Sequence, residues 1–387
     1  MRRGAILVLI AVWALPAAGC EGNRSRPPPG GTSLASRPSA TSPSRSPTSL
    51  RTRTSPLRLP RIVLTANLGD PAARWPLVAH IPFGPQASRL GLYHDRTHTS
   101  TALYPPSFAV GGDRSLWILD LVKRRLAHYS PSGKYLGQVA GVAFDRDSQV
   151  PRDLAFAGDD LWLLSQRNPI QGVVQSVGDR GILPPEGVHS QGHPAIVSFL
   201  FPSSGPLLAS VNGWSSRDPD LLGLGREGVA QVVGRRRDVR FLPGYPLVDG
   251  GYMDVSVVPR SDQDMEISYA GRGRRAERPV GVRLVTGEGG RVIPAIVGLE
   301  VDTGLPHGIV AIVGVGPARD RDTRFGDSMW LFGAFDDGSP IIWERVPEPG
   351  LAQEFLHRSI TATQDGTIYR MIPEPDGIFI YRRPARS

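Results

Sequence analysis

Apolar and polar positions alternate most regularly over residues 106–139, PSFAVGGDRSLWILDLVKRRLAHYSPSGKYLGQV. Runs of apolar, aromatic or β-branched residues at 108–110, 116–120, 126–129 and 135–139 predict four short strands. The intervening GGDRS, LVKRR and SPSGK supply turn chemistry. An antiparallel four-stranded sheet of this size is one propeller blade, which cannot bury both faces without neighbours. Residues 151–164, PRDLAFAGDDLWLL, repeat the first half of the pattern, with Trp162 in the place of Trp117 and the leading proline 45 residues on, a spacing within the range of propeller blades. Further apolar run, polar turn, apolar run openings begin at 194–211, 253–269, 309–335 and 359–372, six in all. The Arg- and Gly-rich insertions GRRRD and AGRGRRAERP read as loops on one face.

The last opening leaves room for three strands before Ser387. A propeller with one sheet edge left open would invite edge pairing, so the apolar stretches 61–66 and 75–81 are the natural donors of a fourth strand. The fold expected is all-β: a β-propeller of six blades over residues 61–387, closed by an N-terminal strand that completes the last blade. A β-sandwich, or two smaller all-β domains, is the arrangement the same strands would otherwise allow. With Gly 45 and Pro 37, the chain has turn formers suited to many short strands.

Charge changes the picture once it is divided. The formal +8 suggests a polyanion partner, but residues 1–61 hold ten of the 44 basic residues and one of the 36 acidic ones, Glu21. The remainder carries 34 basic against 35 acidic residues, so the region expected to fold is near neutral. A nucleic-acid role, which needs a basic face on the domain itself, is set aside.

Residues 1–20, MRRGAILVLIAVWALPAAGC, have a basic start at Arg2 and Arg3, an apolar run from Ala5 to Leu15 and small residues before a cysteine. This is the pattern of a secretory signal, and the run is too short for a permanent membrane span, which needs about 20 residues. Leu15-Pro16-Ala17-Ala18-Gly19-Cys20 resembles the lipobox of bacterial lipoproteins, with Ala17 where that family prefers Leu. The resemblance implies a diacylated Cys20 as the mature N-terminus. Cys20 is also the only cysteine, which rules out an internal disulfide. Two acyl chains would anchor the protein stably to the outer face of a membrane. Residues 21–60, rich in Ser, Thr, Pro and Arg, bury too little to offset their ordering entropy and read as a disordered tether.

The blade at Pro106 also resembles the NHL-type repeat: proline, a short apolar strand, a turn at Asp113-Arg114 where Asp-Gly is usual, an apolar strand ending in Asp120, then Arg125, a further strand and Gly133. Asp365-Gly366 in the last blade is nearer the pattern. The likeness fades beyond about residue 200. Proteins of this type include extracellular sensors, interaction scaffolds, metal-dependent lactonases and amidating lyases, so the resemblance leaves function open.

Candidate chemistry is sparse. His94 and His98, and again His189 and His193, have the HxxxH spacing that would put both imidazoles on one face of a helix, as zinc sites use. Lyases resembling this repeat hold zinc at the axial mouth through histidines of different blades, which selects His193 and His307, each just before an expected innermost strand. Calcium takes six to eight oxygens; Asn168, Asn212, Asp249 and Asp254 are the candidates, with Asp254 foremost. Trp117, Trp162, Trp330 and Trp343 are expected to pack between blades, and Trp214, in VNGWSSRDPD, to be a surface binding anchor. No nucleophile elbow, phosphate loop or repeated CxxC occurs. The function expected is a lipid-anchored, monomeric scaffold or sensor at the cell envelope that binds a protein or small ligand without a cofactor. The rival is a zinc- or calcium-dependent hydrolase or lyase working at the axial mouth.

Overall fold

The computed structural model describes residues 61–385, with breaks of which the longest are 95–101, 212–219, 235–241, 273–279, 294–300, 318–327 and 349–357. Every regular element among the described residues is a strand, and the strands form six sheets of four or five plus two two-stranded ribbons. The first sheet runs up and down through Phe108–Val110, Leu116–Asp120, Arg125–Tyr129 and Tyr135–Ala140. Its turns are those the sequence expects. Gly133 takes φ 79° between the third and fourth strands, and Asp113 Oδ1 accepts from the Ser115 amide at 2.9 Å between the first and second. The matching turn of the sixth sheet has Asp365 Oδ1 accepting from the Thr367 amide at 3.0 Å and Gly366 at φ 82°. Arg114 stands where that glycine would be and takes φ 64°, a left-handed conformation that costs any residue with a Cβ.

The second sheet is built on Gln149–Ala157, Asp160–Arg167 and Gln171–Gly178, and the third on Val197–Phe201, Leu207–Val211, Asp220–Leu224 and Ala230–Gly234. The fourth contains Leu242–Pro246, Tyr252–Ser261, Asp264–Arg272 and Val280–Thr286. The fifth begins with Gly290–Ile293 and Val301–Asp302, both paired to the same neighbour, Gly308–Pro317, and continues through Ser328–Phe335 and Ile342–Val346. The sixth holds Ile360–Ala362, Ile368–Glu374 and Gly377–Arg383.

Among the described residues, four pairs of sheets, three adjacent in chain order and the sixth with the first, bury their faces against each other. One apolar cluster joins the first and second sheets through Leu119, Leu126, Leu154 and Leu163. Others join the fourth and fifth (Ile267, Val282, Trp330), the fifth and sixth (Leu331, Val346, Ile368), and the sixth and first (Ile380, Met371, Phe108, Tyr129). Small meandering sheets packed face to face in sequence, their first strands converging, make this chain an all-β protein of the β-propeller class.

Two expectations are corrected. Leu77–Pro82 pairs antiparallel with Gly377–Arg383 and gives the sixth sheet its fourth strand, but Arg61–Ala66 does not join it. That strand runs parallel to Val280–Thr286 at the outer edge of the fourth sheet. The openings placed at 253–269 and 309–335 are the second and third strands of their sheets, because Leu242–Pro246 and Val301–Asp302 precede them.

The N-terminal segment is therefore a belt. From the edge of the fourth sheet it crosses the outer strand of the fifth, where Trp343 Nε1 donates to the Thr65 carbonyl at 2.9 Å and the Ala73 amide to the Arg345 carbonyl at 2.7 Å. Trp75 Nε1 donates to Glu344 at 3.0 Å, a carboxylate that also accepts from Arg383 of the sixth sheet at 2.8 Å. After Pro82 the chain folds onto the first sheet. There Lys123 Nζ donates to the carbonyls of Gln86 and Arg89, both at 2.7 Å, Arg125 Nη1 to that of Ala87 at 2.6 Å, and the Tyr129 hydroxyl to that of Ser88 at 3.2 Å. Asp120, fully buried, holds Arg125 Nε at 3.0 Å and the Gly91 amide at 3.2 Å.

Candidate functional site

The first strands of five sheets meet around one guanidinium. Arg358 lies two residues before Ile360–Ala362, and its amide donates to the Pro106 carbonyl at 3.0 Å, which ties the sixth sheet to the start of the first. Its Nε and Nη2 donate to the two carboxylate oxygens of Asp153, each at 2.7 Å, a bidentate fork. Nη1 donates to Asp302 Oδ2 at 2.6 Å, and Nη2 also to the Leu200 carbonyl at 2.5 Å. Asp153 belongs to the second sheet, Leu200 to the third and Asp302 to the fifth. The first sheet joins through Ser107, whose Oγ donates to Asp153 Oδ1 at 2.9 Å.

All three charged groups are buried: Arg358 is 4% exposed and both carboxylates 0%. Every oxygen of the two carboxylates faces donors. Asp153 also accepts from the amides of Leu154 (2.9 Å) and Leu200 (3.1 Å), and Asp302 from the amides of Gly304 (2.8 Å) and Ala362 (3.0 Å) and the Thr361 hydroxyl (3.3 Å). Burial pushes the Asp302 carboxyl above its usual range while Arg358 and the two amides pull it back. Burial also works against the Arg358 charge, but the two carboxylates outweigh it and raise the guanidinium above its ordinary value. The set is an internal ion network whose acceptors are committed to protein donors. What it does chemically is fix five strands relative to one another.

Repeat position explains the choice of residues. Ser107 and Asp153 each come just before the apolar triplet of their sheet, as Ser359 does in the sixth, and the carbonyls of Ser107 and Ser359 accept equivalent amides, Leu119 at 3.0 Å and Met371 at 2.7 Å. At this position the Ser107 and Asp153 side chains of neighbouring sheets meet. An approach this close leaves no room for extra atoms. A Cβ added at Gly304 would land on the Ala362 carbonyl oxygen.

The residues singled out from sequence fare unequally. Cys20, His98, Asn168, Asn212, Trp214 and Asp249 lie outside the described residues. His94 sits in the two-residue strand Tyr93–His94, and His189 and His193 lie on the two strands of a ribbon, in register with Pro194 and Ser190, so none of these three histidines is on a helix. His307 is exposed at φ 56° in the turn between Val301–Asp302 and Gly308–Pro317. It follows the innermost strand of its sheet and does not precede it; Asp302, five residues earlier, is what reaches the axis. Asp254 lies in the second strand of the fourth sheet, opposite Ala270. Among the described residues no three His, Cys, Asp or Glu side chains form a metal-ligand group. The tryptophans pack as expected, with Trp330 and Trp343 stacked at 4.9 Å beside the fourth sheet and Trp162 buried. Arg358, Asp153 and Asp302 are not apparent from sequence. The available signal was a charged residue within two positions of a short strand, Asp153 directly before LAF and Arg358 two residues before ITA.

No protein-family model matches the chain, and no curated protein matches it. Solved structures similar to it include virginiamycin B lyase from Staphylococcus aureus, at 11% identity and TM-score 0.37 over 72% of this chain and 94% of that one. A gluconolactonase from Xanthomonas campestris aligns at 12% identity and TM-score 0.40 over 81% and 99%, and a member of the DUF4221 family from Bacteroides vulgatus at 9% and 0.46 over 81% and 97%. At these values the likeness carries no reading of activity, and the fold rests on the strand pairings themselves.

Proposed function

We propose that the chain is exported and lipid-anchored through Cys20, and that its propeller acts at the cell envelope as a scaffold or sensor that binds a protein or small ligand through its loops. In this reading the six sheets are six blades closed by Leu77–Pro82, residues 21–60 are the tether, and Trp214 is an anchor of the binding face. One observation carries it: where five sheets meet, Arg358 is buried with Asp153 and Asp302, whose oxygens are all taken by internal donors. Carboxylates so engaged act as structural acceptors, which leaves recognition to the loops.

The test starts from untagged chain purified out of membranes. The scaffold reading expects no stoichiometric zinc or calcium. Stoichiometric zinc that is lost in His193→Ala or His307→Ala, or calcium lost in Asp254→Asn, would replace it with the metal-dependent hydrolase or lyase reading. Anchoring is read in the same fractionation: Cys20→Ser is expected to release the chain from membranes, and a variant held as firmly as the wild type sinks the lipid anchor.

A further inference from the structure

His128, on the third strand of the first sheet, lies flat on Trp117 of the second strand, with ring centroids 4.0 Å apart and planes 13° from parallel. Its Nε2 is buried and has no hydrogen-bond partner among the described residues. Trp117 packs in turn against the cluster shared by the first and second sheets. From the second sheet that cluster includes Leu154, Phe156, Leu161 and Leu163. The charge felt at the ring is the Asp113 carboxylate, in the turn that precedes the strand of Trp117, and that carboxylate is already engaged by the Ser115 amide at 2.9 Å. Arg114 beside it is paired with Asp365 at 2.8 Å.

A neutral imidazole is tolerated here, since an aromatic ring covers one face and a bare Nε2 is only an unused acceptor. A protonated one places a charged donor where no acceptor stands among the described residues, and a buried unpaired donor costs far more than an unused lone pair. Stacking on Trp117 offers the cation a favourable face but gives Nε2–H nothing to bond.

We propose that the Trp117–His128 stack makes the seam between the first and second sheets acid-responsive: protonation of His128 loosens the seam, and Trp117 reports it. Burial holds the imidazole below its ordinary value of about 6.5, with the Asp113 charge pulling the other way. Because the folded chain binds this proton less readily than the unfolded chain, the stability involved is complete above about pH 6.5 and is lost as pH falls through the folded value.

Heat unfolding of the full chain would be followed from pH 8 to pH 5 in the wild type, His128→Phe and His128→Gln. Phenylalanine keeps the stack and cannot take a proton; glutamine serves if the phenylalanine variant does not fold. The wild type is expected to lose at least about 2 °C more than either variant over that range. Its tryptophan emission should show an acid step, with a midpoint below about 6.5, that is missing in Trp117→Phe. Parallel melting curves in all three chains would overturn the proposal, as would an emission step that persists without Trp117.

Discussion

Arg358 is one side chain bonded to three residues, Asp153, Leu200 and Asp302, in sheets separated by as many as 205 residues of sequence. Replacing it with methionine leaves two buried carboxylates without a cation, and such a break costs about 3–5 kcal/mol. Urea unfolding of Arg358→Met should show that loss as a lowered midpoint. Lysine will not restore it, because a point charge cannot fork onto Asp153 and reach Asp302 together. Adding Asp153→Asn and Asp302→Asn to Arg358→Met should recover part of the loss, since the uncompensated charge goes too; strictly additive losses would mean that the three do not act as a unit. This cluster was hidden from sequence for a physical reason. A buried Arg before a three-residue strand has no apolar periodicity to announce it, and in QEFLHRSITAT it reads as loop. His128 was hidden differently, as one polar position on an otherwise well-read strand.

Strands of the first sheet were legible because their apolar runs are short, their turns carry Gly, Asp and Ser in the right places, and Trp117 marks the second strand. The second sheet shows drift at one telling position. Where Asp120 takes Arg125 in the first, Ser165 stands in the second, buried, its hydroxyl without a partner among the described residues. In the fourth and fifth sheets the long second strands Tyr252–Ser261 and Gly308–Pro317 have the stronger apolar signal, so they masked the shorter inner strands before them. His307 was misplaced for that reason alone. The pairing of Leu77–Pro82 with Gly377–Arg383 depends on a close approach at its end, where a Cβ on Gly377 would meet the Ile81 carbonyl oxygen at 2.6 Å and the Pro82 Cα at 2.9 Å. Gly377→Ala is expected to cost roughly 1–3 kcal/mol by pushing the two strands apart. Hydrogen exchange should localise the damage to the amides of 77–82 and 377–383, and protection unchanged there would count against a tight joint.

At the scale of the whole molecule, Leu77–Pro82 and the C-terminal strand Gly377–Arg383 share a sheet, and the N-terminal belt touches four of the six. Deleting residues 61–82 removes a strand from the fourth sheet and one from the sixth, and uncovers the outer strand of the fifth. Cooperative heat unfolding should be lost in that truncated chain, whereas deletion of 61–66 alone should lower the melting temperature and keep a single transition. A truncated chain that retains one full transition would show a self-sufficient unit without the belt. The all-β class and the N-terminal donation were readable from alternation, turn chemistry and an unfilled edge; the axial bonding was not, because it depends on which strand of each sheet lies innermost.

The belt also sets an order of events. Leu77 pairs with Tyr381, so a strand among the first made waits for one among the last before either edge is satisfied. Contacts this distant in sequence form slowly, and a waiting strand is an adhesive surface. The ribosome, or whatever machinery passes the chain along, must therefore release Gly377–Arg383, about 300 residues after Leu77–Pro82, before the sixth sheet can be finished, and anything that shields that interval governs the yield of folded protein.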